Sequence, residues 1–261
     1  MRVFVTEKRE AIDQIASVYA RALRAAPDVQ GATEHFTVSC MPDVLPDGAT
    51  VAATLLQRCE ADYQTLSGWF GLKPPHFSVI LAGLSKSRDG TGGAFHASCS
   101  ATDLYCDVEL NPQVDARITC ALAVAEEVEV FSAIQNRGWD CGASNGEGLS
   151  RVLAAAVYPA VIDAYATAPI WLDSARPDWV GATNMTDTDP VSNGCSVLFL
   201  NWLHGRLGFG WDRVCGAGAP TLAETYKNLT GKADAWKAFS ATVNQMFPPG
   251  KPSGLTNDDP F

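Results

Sequence analysis

Two glutamates on one predicted helix have a spacing suited to acid–base chemistry or metal binding. Residues 125–129 read Ala-Glu-Glu-Val-Glu and lie within an apolar helical run. Positions 125 and 129 are one helical turn apart, so their side chains point the same way. Ala125 offers no donor atom, whereas Glu126 and Glu129 offer carboxylates. Glu126 and Glu129 are therefore candidate catalytic residues.

Glu147 is the third candidate catalytic residue. Seventeen residues separate it from Glu129, and residues 145–148 read Asn-Gly-Glu-Gly, which predicts a sharp turn into a second helix. Carboxylates crowded into a cleft repel one another, so at least one of them should keep its proton to higher pH. One carboxyl group could then serve as acid and another as base. In the competing interpretation, Glu127 and with it Glu129 are exposed to solvent. Glu147 then lies at a helix N-terminus, where negative charge is favourable.

The order of these motifs resembles the gluzincin branch of the zincin-like metallopeptidases. In that family one helix carries His-Glu-x-x-His, and a later helix carries the third zinc ligand. The resemblance makes Glu126 the general base and Glu147 the third ligand, while Ala125 and Glu129 stand where the two histidines are lost. It implies an α+β, zincin-like fold, with a small mixed sheet, a cleft-bordering edge strand, active-site helices and a C-terminal helical lobe.

The lost histidines decide what we expect of cofactors. Without them, zinc catalysis of the family's type is not expected, and we predict no cofactor. Calcium is conceivable, but two carboxylates are too few oxygen ligands without help from backbone and water.

The resemblance also indicates where a substrate would bind. Residues 92–96, Gly-Gly-Ala-Phe-His, are similar to the small-residue stretch that leads into the family's edge strand. His96 could donate to a substrate or pair with a glutamate, and an aromatic residue before the Glu147 motif could line a sugar or peptide site. The candidate substrate-binding residues are Gly93, Ala94, Phe95, His96, Trp139 and Asn145.

Two functions of different classes follow. The first is a non-metallopeptidase whose cleft binds an extended polymer, either a peptide or a glycan, beside the edge strand. The alternative is an active, metal-independent hydrolase, for instance a glycosidase, that uses the clustered glutamates. A glutamate with a raised pKa near another carboxylate would favour the enzyme, and three solvent-facing glutamates would favour the binding protein.

Hydrophobic periodicity and turn residues predict the elements that must position these side chains. Helices are predicted over residues 6–27, 51–69, 114–136 and 147–167, and strands over residues 77–82 and 104–110. The predicted organisation is an N-terminal α+β lobe (1–172), an inter-lobe loop and possible cleft rim (173–194), a C-terminal helical lobe (195–247) and an irregular tail (248–261).

Net charge and cysteine content indicate which classes of binding partner and which cellular compartment to expect. The formal net charge is −10 and the 19 basic residues form no runs, which argues against nucleic acid. No apolar run is long enough to span a membrane, and the first residues lack the apolar core of a signal peptide. Eight cysteines without CxxC spacing favour disulfides over a metal site, and with them a secreted or extracytoplasmic location. Cys99 and Cys106 could staple a hairpin; a cytosolic protein with buried free thiols is the alternative.

Overall fold

The computed structural model describes residues 25–84, 93–108, 115–255 and 260–261. Within these ranges the chain forms one five-stranded mixed sheet and eight α-helices, which confirms the predicted mixture of helix and sheet. The strands are β1 (Asp28–Ala32), β2 (Phe36–Cys40), β3 (Phe77–Ala82), β4 (Ala94–Phe95) and β5 (Asp103–Asp107). The helices are α1 (Asp47–Phe70), α2 (Arg117–Gln135), α3 (Ser144–Val157), α4 (Ala168–Leu172), α5 (Pro190–Asn201), α6 (Trp211–Gly216), α7 (Leu222–Thr230) and α8 (Ala235–Met246).

The sheet has the strand order β1-β2-β3-β5-β4. Its three central strands, β2, β3 and β5, run parallel, and both outer strands pair antiparallel to their neighbours. The central strands are rich in apolar and β-branched residues, as expected of parallel strands that are covered by helices. The short strand β4 lies at the edge and ends one residue before His96.

An aromatic cluster fixes α2 against the sheet and against α1. Phe36 stacks on Phe77 with ring centroids 5.5 Å apart, and Phe131 of α2 lies 5.7 Å from Tyr63 of α1. All four rings are buried. Phe131 thereby determines which face of α2 is turned towards the sheet and α1.

The loop after α2 and the start of α3 are set by local backbone chemistry. Asn136 ends α2 in the left-handed conformation (φ 53°), which asparagine tolerates better than most residues. Gly148 of α3 lies close to α5, because an added Cβ there would be 2.6 Å from the Cβ of Ser196. Asp189 caps α5 by accepting hydrogen bonds from two backbone N–H groups of its first turn.

Several predicted boundaries need correction. The helix predicted over 147–167 begins at Ser144 and ends at Val157, because Pro159 disfavours helical backbone at Tyr158. The loop predicted over 173–194 ends at Asp189, where α5 begins. The helix predicted over 6–27 lies almost wholly outside the described residues, as does the end of the strand predicted over 104–110.

The predicted lobe boundary at 173–194 stays a prediction. Buried apolar residues form one contiguous cluster on both sides of this segment, from the sheet to α8. The described residues after it form helices, and those beyond α8 have no regular structure.

Candidate active site

Helix α2 carries carboxylates on two different faces. Glu127 lies one helical turn before Phe131, on the face turned towards α1 and the sheet. Glu126 and Glu129 lie on the other side, towards β4 and α3. Their side chains are largely buried, with 12% and 10% of their surfaces exposed. These two glutamates are therefore desolvated and still reached by solvent.

His96 is the partner of Glu129. Its Nε2 lies 2.8 Å from Oε2 of Glu129, and its side chain is 5% exposed. Its Nδ1 lies 3.3 Å from the carbonyl oxygen of Ala101, which can only accept a hydrogen bond, so Nδ1 carries a proton. One further proton must lie between Nε2 and Oε2. The pair is therefore either an imidazolium with a carboxylate or an imidazole with a carboxylic acid, and it is neutral overall in both forms.

Burial governs the protonation of both glutamates. It raises the pKa of Glu126 to about 8, and the neighbouring charge of Glu129 adds to this effect. Burial also raises the pKa of Glu129 well above its ordinary value, reinforced by the charges of Glu147 and Asp187. Oε2 of Glu126 lies 3.8 Å from Nε2 of His96, which is too long for a hydrogen bond. Glu126 thus holds its own proton at neutral pH beside the His96–Glu129 pair.

Glu147 contributes charge to the site and is held by an arginine. Its Oε1 accepts a 2.5 Å hydrogen bond from Nε of Arg151, one turn later on α3. The Glu147 side chain is 17% exposed. Its charge raises the pKa of both Glu126 and Glu129, so the three predicted glutamates belong to one electrostatic cluster.

The sequence interpretation missed Asp187 as a member of this cluster. Asp187 lies in the segment before α5, and its charge raises the pKa of Glu126 and Glu129. Among the described residues, no hydrogen-bond partner meets its buried Oδ1. The segment was predicted as a possible cleft rim, but nothing in its composition of Asp, Asn, Thr and Pro distinguishes Asp187 from its neighbours.

A disulfide between Cys99 and Cys141 lies next to the His96–Glu129 pair. One ring nitrogen of His96, one carboxylate oxygen of Glu129 and Sγ of Cys141 all lie within 4.8 Å of one another. Gly146 allows this approach, because an added Cβ there would be 2.1 Å from the carbonyl oxygen of Asp140. The suggested Cys99–Cys106 staple is wrong, and the other six cysteines are buried free thiols.

The predicted substrate-binding residues divide into two groups. Gly93, Ala94, Phe95 and His96 lie on or beside β4, where Phe95 is buried and stacked on Tyr105. Gly93 pairs with β5 by accepting from the backbone N–H of Asp107.

Trp139 and Asn145 form the other group, and the structure does not bring them to the surface of the site. Trp139 is buried and donates to the carbonyl of Cys215. Asn145 is 1% exposed, donates to the carbonyl of Gly138 and accepts from the N–H of Gly146. Both side chains hold the loop that carries Cys141.

Glu127 is the clearest departure from expectation. The sequence interpretation placed it in solvent, but it is 1% exposed. Burial raises its pKa well above the ordinary value, and Asp62 of α1 adds to the effect. Asp62 itself is buried and accepts a hydrogen bond from Tyr158. Apolar residues on either side of an Ala-Glu-Glu run do not reveal which glutamate faces the core.

Comparison with models of known protein families, with characterised proteins and with solved structures gave no match. The resemblance to gluzincins therefore rests on the sequence pattern alone. None of the described helices is both long and apolar enough to cross a membrane.

The donor atoms of the site do not fit a zinc ion bound in the gluzincin manner. Ala125 has no donor, Glu129 is engaged by His96, and Glu147 is engaged by Arg151. Among the described residues, the donor groups close enough to share an ion include Glu129 but neither position 125 nor Glu147. They are His96 with Glu129 and Cys141, Cys99 with Asp140 and Cys141, and Glu34 with His35 and Glu60.

Proposed function

We propose that the protein is a hydrolase that works by general acid–base catalysis without a metal ion, with Glu126 as the acid and the His96–Glu129 pair as the base. The observation that carries this proposal is the position of Glu126 beside the His96–Glu129 pair, with 3.8 Å between Oε2 of Glu126 and Nε2 of His96. Burial raises the pKa of the Glu126 carboxyl group to about 8, and the pair beside it shares a single proton. An acid and a base poised near neutral pH are what this chemistry requires.

The protons balance over one turnover. Glu126 donates its proton to the leaving group as water attacks the scissile centre. Glu129 accepts a proton from that water, while the shared proton moves onto His96. The site then holds a Glu126 carboxylate next to a His96 imidazolium, with the relevant atoms 3.8 Å apart. Transfer of a proton from His96 to Glu126 restores the starting state.

Glu147 and Asp187 support the step in which the His96–Glu129 pair acts as the base. After water has been deprotonated, the His96–Glu129 pair carries one positive charge. The negative charges of Glu147 and Asp187 stabilise that state electrostatically, as their effect on the pKa of Glu129 indicates. Arg151 holds Glu147 in place and limits the total negative charge of the cluster.

The substrate class follows from the position of the site beside the sheet edge. Strand β4 pairs with β5 on one side, and no other described strand flanks it. An extended peptide or glycan laid along β4 would pass His96 and reach Glu126. The disulfide is compatible with a secreted or extracytoplasmic setting.

The same sheet edge supports a second candidate function, a protein that binds an extended polymer without cleaving it. In that case the buried glutamates would serve to orient His96 at the end of β4. The two candidates differ in whether the proton on Glu126 is used.

The deciding experiment measures cleavage of a peptide and glycan panel by the wild-type chain with and without a chelator. Two isosteric variants on the same helix, Glu126→Gln and Glu127→Gln, are assayed in parallel. We expect chelator-resistant cleavage that falls at least 100-fold in Glu126→Gln and is unchanged in Glu127→Gln.

Each of the other results would point to a different function or a different catalytic residue. Cleavage that survives in Glu126→Gln would remove its catalytic role, and chelator-sensitive cleavage would mean a metalloenzyme. Polymer binding without cleavage in any of the three proteins would favour the binding protein.

A further inference from the structure

We propose that reduction of the Cys99–Cys141 disulfide creates a zinc site whose ligands are Cys99, Cys141, His96 and Glu129. This site differs from the gluzincin one, of which it shares only the position of Glu129. Zinc binding as such does not depend on the proposed hydrolase activity.

The positions of the donor atoms carry the proposal. The donors of His96, Glu129 and Cys141 lie within 4.8 Å of one another, and the sulfur of Cys99 is bonded to that of Cys141. Zinc bonds of about 2.0–2.3 Å in a tetrahedron place the ligand atoms about 3.3–3.8 Å apart. Three of the four donors are thus already near this spacing, and reduction frees the two sulfurs, now bonded to each other, to separate towards it around an ion.

The surrounding bonds already orient these ligands as metal sites require. Nδ1 of His96 donates to the carbonyl of Ala101, which leaves Nε2 facing Glu129. Zinc-binding histidines usually donate their second ring N–H to such a carbonyl or carboxylate. On the other side, the close approach of Gly146 to the carbonyl of Asp140 fixes the loop that carries Cys141.

Access and ligand chemistry favour zinc over other ions. Cys99 and Cys141 are both half-buried, so a small dithiol can reach the bond between them. Two thiolates and an imidazole select zinc over calcium or magnesium, which prefer oxygen ligands. A fifth donor, the carboxylate of Asp140, lies within 4.8 Å of both sulfurs.

The reaction balances in two steps. A dithiol reductant transfers two electrons and two protons to the disulfide, and it becomes a disulfide itself. Zn²⁺ then displaces both thiol protons and the proton shared by His96 and Glu129, so three protons are released per ion bound. If the proposed function is correct, the ion also occupies the catalytic base, and the zinc-bound form is inactive.

The test uses the full chain reduced with a phosphine and freed of excess reductant under anaerobic conditions. Zinc is titrated against a chromophoric chelator, and Co²⁺ is bound separately as a spectroscopic probe. We expect one ion per chain in the reduced protein, a cobalt spectrum with thiolate charge-transfer bands, and no such binding in the oxidised protein.

Variants identify the ligands without relying on activity. Cys141→Ser and His96→Ala should each weaken zinc binding at least tenfold. Glu129→Gln should do the same and keeps both cysteines, so it tests the site even if a cysteine variant fails to fold. His35→Ala removes the histidine of the separate Glu34–His35–Glu60 group and should leave the affinity unchanged. The proposal is overturned if the reduced protein binds no stoichiometric zinc, or if a Cys99→Ser/Cys141→Ser double variant binds as tightly as wild type.

Discussion

His96 and Glu129 are 33 positions apart in the sequence, and their side chains meet at 2.8 Å between the edge of the sheet and the middle of α2. Each provides the hydrogen bond that the other needs in a desolvated setting. Because one proton lies between them, the pair stays neutral overall while that proton moves from one partner to the other.

Replacing His96 with alanine should weaken both activity and fold. The variant leaves the buried Glu129 without its partner, which costs about 1–3 kcal/mol in the free energy of unfolding. Hydrolysis should fall on the order of 100-fold, because the base loses the group that takes up its proton. Denaturant unfolding and turnover measure the two effects. His76→Ala is the control: this exposed histidine bonds Thr37, and its loss should change stability by less than about 0.5 kcal/mol.

Stability should decrease as the pH rises from about 4.5 to about 8. The folded state raises the pKa of Glu126, Glu127, Glu129 and Asp62, so it retains protons that the unfolded chain releases. The stabilising effect is complete below the unfolded pKa values and is lost as the pH passes the folded ones. Each such group contributes a slope of up to about 1.4 kcal/mol per pH unit.

Urea unfolding at a series of pH values tests this slope. Glutamine at position 126 or 127 has no proton to lose, so either variant should show a shallower decrease than wild type. A wild-type stability that rises through this interval would contradict the buried, protonated state of these carboxyl groups.

Reducing agent should lower the thermal stability of the protein. The Cys99–Cys141 bond closes a loop with a sequence separation of 42 residues, and its loss should cost about 2–4 kcal/mol. Scanning calorimetry with and without a phosphine measures the change, and a Cys99→Ser/Cys141→Ser double variant should not respond. A thiol count on the denatured, unreduced chain should give the six free cysteines, and a count of eight would refute the disulfide.

Gly146→Ala should destabilise the protein by about 1–3 kcal/mol although alanine favours helices. The new Cβ would lie 2.1 Å from the carbonyl oxygen of Asp140, so the loop that carries Cys141 must move. Gly142→Ala is a matched change in the same loop, where the nearest atom is 3.6 Å away, and it should be almost neutral. Equal free energies of unfolding for the two variants would show that the loop can move at little energetic cost.

The elements that could be predicted from sequence are those with strong local signals. The apolar periodicity of α1 and the continuous apolar run of β3 place both elements correctly. The helix predicted over 147–167 runs past the observed end at Val157, although Pro159 is a local stop signal.

The site itself depends on information that is not local. Glu126, Glu129 and Glu147 could be selected because helical spacing and motif order are readable in the chain. The pairing of His96 with Glu129 requires that β4 lies at the sheet edge next to α2, which is a property of the strand order. Asp187 and the Cys99–Cys141 pairing likewise result from how the segments pack. Glu127 is buried because of the rotation of α2 about its axis. The packing of Phe131 determines this rotation, and no single residue in the sequence predicts it.

The contrast between one half-buried disulfide and six buried thiols makes the chain suitable for site-selective labelling. Burial raises the pKa of each of the six free thiols, so little nucleophilic thiolate is present at neutral pH. Gentle reduction would therefore leave Cys99 and Cys141 as the two reactive sulfurs of the folded protein. A fluorophore or spin label attached there would report events beside Glu129 without any engineered cysteine.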